Sequence, residues 1–412
     1  MEIRALLSAL WRSRTGPFLV AAQVALTLAV IVNVVYIVQQ RLADANKPTG
    51  IDLDNMFWVG IETLDANYNQ AAAVPVDLTY LKSLPGVVSA TTVNILPQWW
   101  GRMGLPFAAN PKQLDTPNGG VPGTIYFGTD TFIDTFGLKL VAGRTFDANA
   151  IVQPSSDMAS AIATWAPEMI VTRAMAQKLF PNGDALGKTV YVGLTNKSST
   201  IVGIVEHMQA GPSPARFEQF AIQIVIVPII PAGPGGTFVV RTRPGERERV
   251  MAKVEKEFAD LQPGRYVRRI EAYDETAGRL RQGSRASAII LATVAFFVLA
   301  VTIIGIVGLA AFNVTTRTKQ LGTRRAIGAR KFHILRYFLV ENWLITSGGA
   351  LLGCVLALAA GIKLSTMYQT PRLPLYYLVL GVALVWVVGV LAVAIPARRA
   401  ASISPAIATR SV

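Results

Sequence analysis

Four long apolar runs without a charged residue constrain this chain more than any other feature of its sequence. An apolar run can cross the hydrocarbon core of a membrane when it reaches about 20 residues. Buried helices of soluble proteins rarely stay apolar over such a length, so four runs predict an integral membrane protein. The runs cover residues 15–40, 286–316, 342–362 and 373–397.

The positions of the charged residues orient the predicted protein. The formal net charge of +14 is compatible with a nucleic-acid-binding protein. However, residues 41–285 carry 24 basic and 23 acidic residues, and only Lys363 and Arg372 lie between the last two runs. Thirteen basic residues lie in the other short flanking segments: Arg4, Arg12, Arg14, Arg317, Lys319, Arg324, Arg325, Arg330, Lys331, Arg336, Arg398, Arg399 and Arg410. The positive-inside rule therefore predicts cytoplasmic termini and an extracytoplasmic segment at 41–285, and it excludes nucleic acid as a partner.

The sequence predicts an α-helical membrane protein with four transmembrane helices and a mixed α+β extracytoplasmic domain of two subdomains. The division is an interfacial N-terminal helix at 1–14, transmembrane helices at 15–40, 286–316, 337–362 and 373–397, an outer domain at 41–285, a cytoplasmic segment at 317–336, an outer loop at 363–372 and a cytoplasmic tail at 398–412. In the first run, Gln23 and Asn33 are predicted to form hydrogen bonds between helices.

Strand-like and helix-like runs alternate in the outer segment. Predicted strands cover residues 56–61, 87–93, 123–127, 169–171, 189–192, 200–205, 221–227, 237–242 and 266–272, and predicted helices cover 77–84, 172–180 and 246–261. Gly- and Pro-rich connections at 98–123 and 209–216 indicate an inserted subdomain at 98–215, between outer parts at 48–97 and 216–275. The one cysteine, Cys354, excludes an intrachain disulfide, so a core of apolar residues must stabilise this segment.

Residues 182–189 come within one residue of a phosphate-binding P-loop, because Asn182 stands where the motif has glycine. A P-loop follows a strand and begins a helix. Here a predicted helix precedes the segment and a predicted strand follows it, which argues against nucleotide binding. The two histidines, His207 and His333, have no Cys or His neighbours at ligand spacing, so we predict no metal site.

Four apolar residues lie in or near a Gly- and Pro-rich part of the outer segment: Trp99, Trp100, Met103 and Phe107. They could form an exposed contact for a partner or an amphiphilic substrate. They could equally pack into the core of the inserted subdomain. The sequence leaves both interpretations open.

The cytoplasmic segment at 317–336 combines basic residues with glycines and apolar residues. Its apolar side chains could contact a partner while Arg and Lys contact acidic groups or lipid phosphates. It could also be a topology signal alone. The segment resembles the coupling segment of the FtsX-like permease domain in MacB-type ABC transporters, through Arg317, Thr318, Gly322, Arg324, Ala326, Gly328 and Ala329. Gln320 stands where that family usually has an acidic residue.

Other parts of the chain resemble the same family. Residues 396–401, with Ser404 and Pro405, are similar to its ending after the fourth span. The outer segment resembles the MacB-type periplasmic core domain through three motifs: Gly137, Leu138 and 142–146; then 179–181 and 186–188; then 201–205. This resemblance implies a porter-like subdomain at 48–97 and 216–275 and a largely β inserted subdomain at 98–215.

The resemblance implies a permease subunit that transmits the motion of a cytoplasmic ATPase to the periplasmic domain and so drives efflux. The residues that would couple to the ATPase are Arg317, Thr318, Leu321, Gly322, Arg324, Arg325, Ile327, Gly328, Ala329 and Phe332. The sequence contains no Walker motif besides the near match. We therefore expect a non-enzymatic chain without a cofactor, with ATP and magnesium bound to a separate ATPase subunit.

The expected partners are a cytoplasmic ABC ATPase dimer, a second permease subunit of the same or a paralogous kind, and membrane lipids. A periplasmic adaptor protein is an open alternative. The expected location is the bacterial inner membrane. The alternative function is that of an FtsX-like regulatory protein, which relays ATPase motion or a sensed signal to an extracytoplasmic hydrolase or sensor kinase.

Overall fold

The computed structural model describes residues 15–65, 68–99, 103–116, 119–153, 163–193, 195, 197–211, 218–231, 233, 235–316, 330–368 and 372–402. The chain divides into two compact units. We call residues 44–283 the α/β unit, and residues 1–43 together with 284–412 the helical unit. Each unit has apolar core clusters of its own.

The described elements follow one another in this order along the chain. The helices are α1 (Thr15–Ala45), α2 (Gln70–Ser83), α3 (Phe132–Phe136), α4 (Arg173–Leu179), α5 (Glu218–Ile222), α6 (Arg247–Glu257), α7 (Tyr273–Thr316), α8 (Lys331–Tyr368) and α9 (Leu375–Ser402). The strands are β1 (Met56–Thr63), β2 (Val87–Val93), β3 (Gly104–Ala108), β4 (Val121–Phe127), β5 (Leu140–Gly143), β6 (Glu168–Thr172), β7 (Thr189–Val192), β8 (Lys197–Val205), β9 (Ile224–Val227), β10 (Gly235–Thr242) and β11 (Arg265–Ala272).

Helices α1, α7, α8 and α9 contain the segments long and apolar enough to cross a membrane. These segments are Thr15–Ala43, Arg285–Thr316, Lys331–Met367 and Leu375–Arg399. The prediction of four transmembrane helices is therefore confirmed. Each segment exceeds the length of about 20 residues that a bilayer core requires.

Helix α1 is the most buried of these four helices. More than half of its most apolar stretch is buried, against about a tenth of the corresponding stretch of α7. Val20, Val24, Leu28 and Val32 recur every four residues and are all buried. Because residues four apart lie on the same side of a helix, these side chains form a continuous stripe in the core of the helical unit.

Two glycines of α8 allow that helix to approach α1 closely. A Cβ atom added at Gly349 would lie 2.6 Å from the carbonyl oxygen of Ala21, and one at Gly353 would lie 2.9 Å from that of Ala25. Such distances leave no room for a side chain. This small-xxx-small pair therefore forms a helix contact within the chain.

Polar side chains of α1 also bind the neighbouring helices. The Gln23 amide donates to the carbonyl oxygen of Val301 at 2.9 Å, and the Asn33 amide donates to that of Ala357 at 3.1 Å. The predicted interhelical hydrogen bonds of Gln23 and Asn33 are thus confirmed. They connect α1 to α7 and to α8.

The first sheet of the α/β unit is antiparallel, with the strand order β11-β1-β10-β2. Six consecutive residues of β1 are buried, because this strand is central in the sheet and packs on both faces. Helices α2 and α6 contribute to one core cluster with this sheet, which includes Phe57, Val74, Leu81, Phe238 and Val254.

The second sheet closes on itself. Its strand order is β5-β8-β6-β9-β4-β3-β7, and β7 also pairs with β8. Six strands therefore form a barrel, with β5 added at β8, and closure leaves those six strands without a free edge. Apolar residues fill the barrel, among them Phe107, Phe127, Val171, Val190 and Val225. The two sheets confirm the prediction of a mixed α+β domain with two subdomains.

The predicted boundary of the inserted subdomain needs a correction. The sequence predicts that this subdomain ends at residue 215 and that residues 216–275 belong to the outer part. In the structure, β9 belongs to the barrel, because Ile224–Val227 pairs in parallel with the end of β4 and also pairs with β6. Residues 221 and 222, at the start of the predicted strand 221–227, instead form the end of helix α5.

Candidate functional site

The candidate site is the start of α7, where this helix leaves the α/β unit. Helix α7 follows β11 without a connecting residue and has 44 residues. At 1.5 Å per residue its length is about 66 Å. Its later part, Arg285–Thr316, is a membrane-spanning segment. We call Tyr273, Asp274, Thr276 and Arg279, which lie in its first two turns, the helix joint.

Tyr273 connects α7 to a core that both subdomains share. This core cluster contains Trp58 and Val239 of the first sheet together with Tyr126 and Ile170 of the barrel. Tyr273 is completely buried, and its hydroxyl donates to the carbonyl oxygen of Pro97 at 2.6 Å. Burial raises the pKa of this hydroxyl well above its ordinary value, so the group stays a donor.

The Tyr273 ring also contacts the inserted part of the chain. Its centroid lies 6.0 Å from that of Phe136, in an edge-to-face arrangement. Phe136 ends the short helix α3, which follows the barrel strand β4. The first residue of α7 thus touches an element of the inserted subdomain as well as the linker at Pro97.

Thr276 connects α7 to the middle of the first sheet. The Trp58 indole N–H donates to its hydroxyl at 2.8 Å, and the hydroxyl in turn donates to the carbonyl oxygen of Ala272. Trp58 is on β1, and both side chains are buried. Because an indole N–H can only donate, Thr276 supplies the acceptor that the buried Trp58 needs.

Two sets of ion pairs surround these contacts. Arg247 of α6 binds the Asp274 carboxylate at 2.8 Å and the carbonyl oxygen of Asp54 at the same distance. Glu271, whose side chain is only 7% exposed, forms ion pairs with Arg279 and with Arg269. A buried carboxylate requires such positive neighbours, because its transfer from water is costly.

The helix joint therefore fixes the start of α7 from several directions. The contacts come from β1, β11, α6, α3 and the linker before the barrel. A rotation or axial shift of these first two turns would break the hydrogen bonds of the buried Tyr273 and Thr276, and it would separate Arg279 from the buried Glu271, which is costly. The start of α7 is therefore bound to both subdomains.

Most of the predicted ATPase-coupling residues lie outside the described residues. These are Arg317, Thr318, Leu321, Gly322, Arg324, Arg325, Ile327, Gly328 and Ala329. Phe332 is described and lies in the first turn of α8, where 64% of its side chain is exposed. Phe332 is thus accessible within the helical unit.

Of the two interpretations of Trp99, Trp100, Met103 and Phe107, the structure favours packing into the core for the three that it describes, so the possible exposed contact is corrected. Phe107 is completely buried in the barrel, because the alternation of β3 directs it inward. Met103 is half-buried against the same cluster, and Trp99 is half-buried with its ring edge-on to Trp58. Trp100 lies outside the described residues. The three described side chains pack into the core instead of forming an exposed contact.

The near P-loop is a turn between α4 and β7. Gly183 and Gly187 have φ angles of +85° and +75°, which glycine adopts easily. The Gly187 N–H donates to the carbonyl oxygen of Ile201 at 2.8 Å, and Lys188 is 3.9 Å from Asp184. A helix precedes this turn and a strand follows it, which is the reverse of a P-loop.

The sequence alone does not reveal the helix joint. A local signal is present in Glu271, Tyr273, Asp274 and Thr276, which place polar and aromatic side chains between a strand and an apolar run. That signal does not reveal the partners. Trp58 is 218 residues from Thr276 along the chain, and Pro97 is 176 residues from Tyr273.

Two family models match the chain. The model of the MacB-like periplasmic core domain matches residues 18–257, and that of the FtsX-like permease C-terminal domain matches residues 292–405. The macrolide export ATP-binding/permease protein MacB of Mannheimia succiniciproducens is 26% identical over 295 residues, which are 70% of this chain and 45% of that protein. The protein of the same name from Chromobacterium violaceum is 25% identical over 277 residues, which are 66% and 41%.

This chain spans less than half the length of these two relatives. Among solved structures, the periplasmic region of MacB from Actinobacillus actinomycetemcomitans is 14% identical with a TM-score of 0.35, covering 57% of this chain and 97% of that one. The core-domain model alone covers more than half of the chain, and the second model covers its C-terminal helices. The chain therefore belongs to the MacB-like family of ABC transporter permeases, with an FtsX-like permease domain.

Proposed function

We propose that this chain is a permease subunit that passes the motion of a cytoplasmic ATPase to its α/β unit and so drives export from the periplasm. One observation carries the proposal. Helix α7 is continuous over 44 residues, its first turns are held in the core of the α/β unit, and its later turns form a membrane span. The relatives are named for macrolide export, which supports export as the outcome.

The ATPase is proposed to be a separate cytoplasmic subunit that binds ATP and magnesium. It would contact the coupling residues named above, from Arg317 to Phe332, since they lie in a segment that resembles the coupling segment of the family apart from Gln320. We place the chain in the bacterial inner membrane with both termini cytoplasmic and the α/β unit periplasmic. The positive-inside distribution of basic residues supports this orientation.

A second permease subunit is proposed to contact α7. Ile290, Phe297 and Ile304 recur every seven residues on α7, and each is more than 60% exposed within the single chain. A seven-residue repeat places these side chains on one side of the helix. That side suits a neighbouring helix of a second subunit in the membrane.

The continuity of α7 can be tested directly. Ala286 is exposed and lies at the start of the membrane span, so Ala286→Pro should interrupt α7 at a cost of about 3 kcal/mol without disturbing a buried contact. Ala286→Ser is the matched control. Each variant is co-expressed and co-purified with its cytoplasmic ATPase, made catalytically inactive so that it holds ATP.

The measurement is the change in hydrogen exchange of residues 132–136 and 273–279 when ATP is added to the complex. We expect the parent chain and Ala286→Ser to show an ATP-dependent change, and Ala286→Pro to lose it while still binding the ATPase. An unchanged response in Ala286→Pro would show that α7 does not carry the motion. A response that is absent from the parent chain as well would refute the relay itself.

A further inference from the structure

A small cavity lies in the helical unit, with seven apolar and three polar residues in its lining, and the proposed relay does not use it. Its volume is about 20 Å³, and residues of all four helices line it: Val20, Ile306, Leu309, Ala310, Asn313, Phe338, Glu341, Asn342, Ile345 and Val393. These residues lie near the ends of the helices that the charge distribution predicts to be cytoplasmic. A water molecule requires roughly 10–15 Å³ measured in this way, so the cavity has room for one water.

The Asn342 side chain supplies a buried donor beside this cavity. Asn342 is only 7% exposed, and its Nδ2 atom is inaccessible to solvent. Nδ2 finds no hydrogen-bond acceptor among the residues that the structure describes. Helix α9 covers this group closely, since a Cβ atom added at Gly389 would lie 3.1 Å from Nδ2. A buried amide N–H without an acceptor is costly, so the site favours an additional polar ligand.

Glu341 supplies an acceptor at the same cavity. Its side chain is 4% exposed, although it is an acidic residue inside a membrane-spanning segment. Glu341 and Asn342 are consecutive in α8, so their side chains leave the helix about 100° apart. This divergence disfavours a direct hydrogen bond, yet both residues line the cavity. A small molecule that both accepts and donates can connect them.

We propose that the cavity binds one water molecule, which accepts a hydrogen bond from Asn342 Nδ2 and donates one to the Glu341 carboxylate. Water is the ligand because it fits the volume and carries both hydrogen-bonding functions. The hydrated pair would hold α8 against α7 and α9. This proposal does not depend on the proposed export function.

The test is the thermal unfolding of the full chain in detergent for Asn342→Ser and Asn342→Ala. The two replacements have similar size, but only serine keeps a donor and acceptor for water. We expect both to lower the Tm, and Ala to lower it further than Ser. If Ala is as stable as Ser or more stable, the site does not bind water and the proposal is wrong.

Asn342→Leu is an independent test, because the direction of its Tm change depends on whether a water is bound. If no water binds Nδ2, leucine replaces a buried N–H donor that has no acceptor, and the Tm should rise. If a water connects Asn342 to Glu341, leucine displaces it and the Tm should fall. The loss should be smaller in a chain that already carries Glu341→Gln, because the two residues are coupled through the water. A raised Tm or strictly additive losses would overturn the proposal.

Discussion

The buried ion pair between Asp77 and Arg265 allows a quantitative test of how the α/β unit is stabilised. Arg265 is the first residue of β11, and Asp77 is on α2. Their side chains are 0% and 1% exposed, and Arg265 Nη1 lies 2.7 Å from Asp77 Oδ2. Burial raises the pKa of Asp77, while the hydrogen bond from Arg265 and its charge act in the opposite direction.

Replacing Asp77 by Ala should lower the free energy of unfolding of the α/β unit by about 3–5 kcal/mol, the usual cost of an uncompensated buried charge. The guanidinium would keep its bonds to the carbonyl oxygens of Phe258 and Ala259, at 2.7 and 3.3 Å, and its position 5.1 Å from the Phe258 ring centroid. Carbonyl oxygens and an aromatic face do not supply the negative charge that is lost.

The assay is hydrogen exchange of the β1 and β11 amides as a function of urea concentration, with the full chain in detergent. This measurement reports on the α/β unit alone. The control is the double variant Asp77→Leu with Arg265→Met, which replaces both charges by apolar groups of similar size. Such replacements are often close to neutral. The reasoning is refuted if Asp77→Ala costs less than about 1 kcal/mol, or if the double variant is as unstable as the single one.

Three other changes test separate parts of the structure. Gly353→Leu should destabilise the helical unit by about 1–3 kcal/mol in thermal unfolding, because a side chain at this position would collide with the α1 backbone. An unchanged Tm would contradict this close contact. Trp58→Phe should cost about 0.5–1.5 kcal/mol through the lost indole hydrogen bond to the helix joint, and a stabilised variant would argue against that bond. Arg324→Glu with Arg325→Glu should abolish co-purification of the ATPase, because the reversed charges would repel an acidic ATPase surface, whereas Lys112→Glu in the α/β unit should not. Equal ATPase binding by both variants would mean that residues 317–329 act only as a topology signal.

The four spans could be predicted from the sequence because membrane insertion depends on local composition. Strand β2 was predicted with the observed bounds for a related reason, since five of its seven residues are β-branched. Strand β3 was missed because Gly104 and Pro106 read as loop residues. Its pairing with β4 and β7 overrides that local preference.

The helix joint and the barrel could not be predicted because both depend on pairings between distant segments. The parallel pairing of β9 with β4 decides that residues 224–227 belong to the barrel, and neither strand carries a local sign of it. The local sequence pattern therefore predicted the end of the inserted subdomain at residue 215, whereas the pairing of β9 with β4 extends the barrel to residue 227. The burial of Phe107 likewise follows from barrel closure, which its Gly- and Pro-rich neighbourhood conceals.

The position of Tyr273 bears on how a long insertion can be combined with the proposed relay through α7. If α7 were anchored to the first sheet alone, through Trp58, a displacement would reach the barrel only by way of the linkers at its two ends. Tyr273 instead contacts Phe136 of the insertion and Pro97 of the linker within the core that both subdomains share. Close-packed cores deform little, so under the proposed relay a movement of this residue would be passed to both subdomains together. The insertion can therefore change in length at its exposed loops without losing its connection to α7.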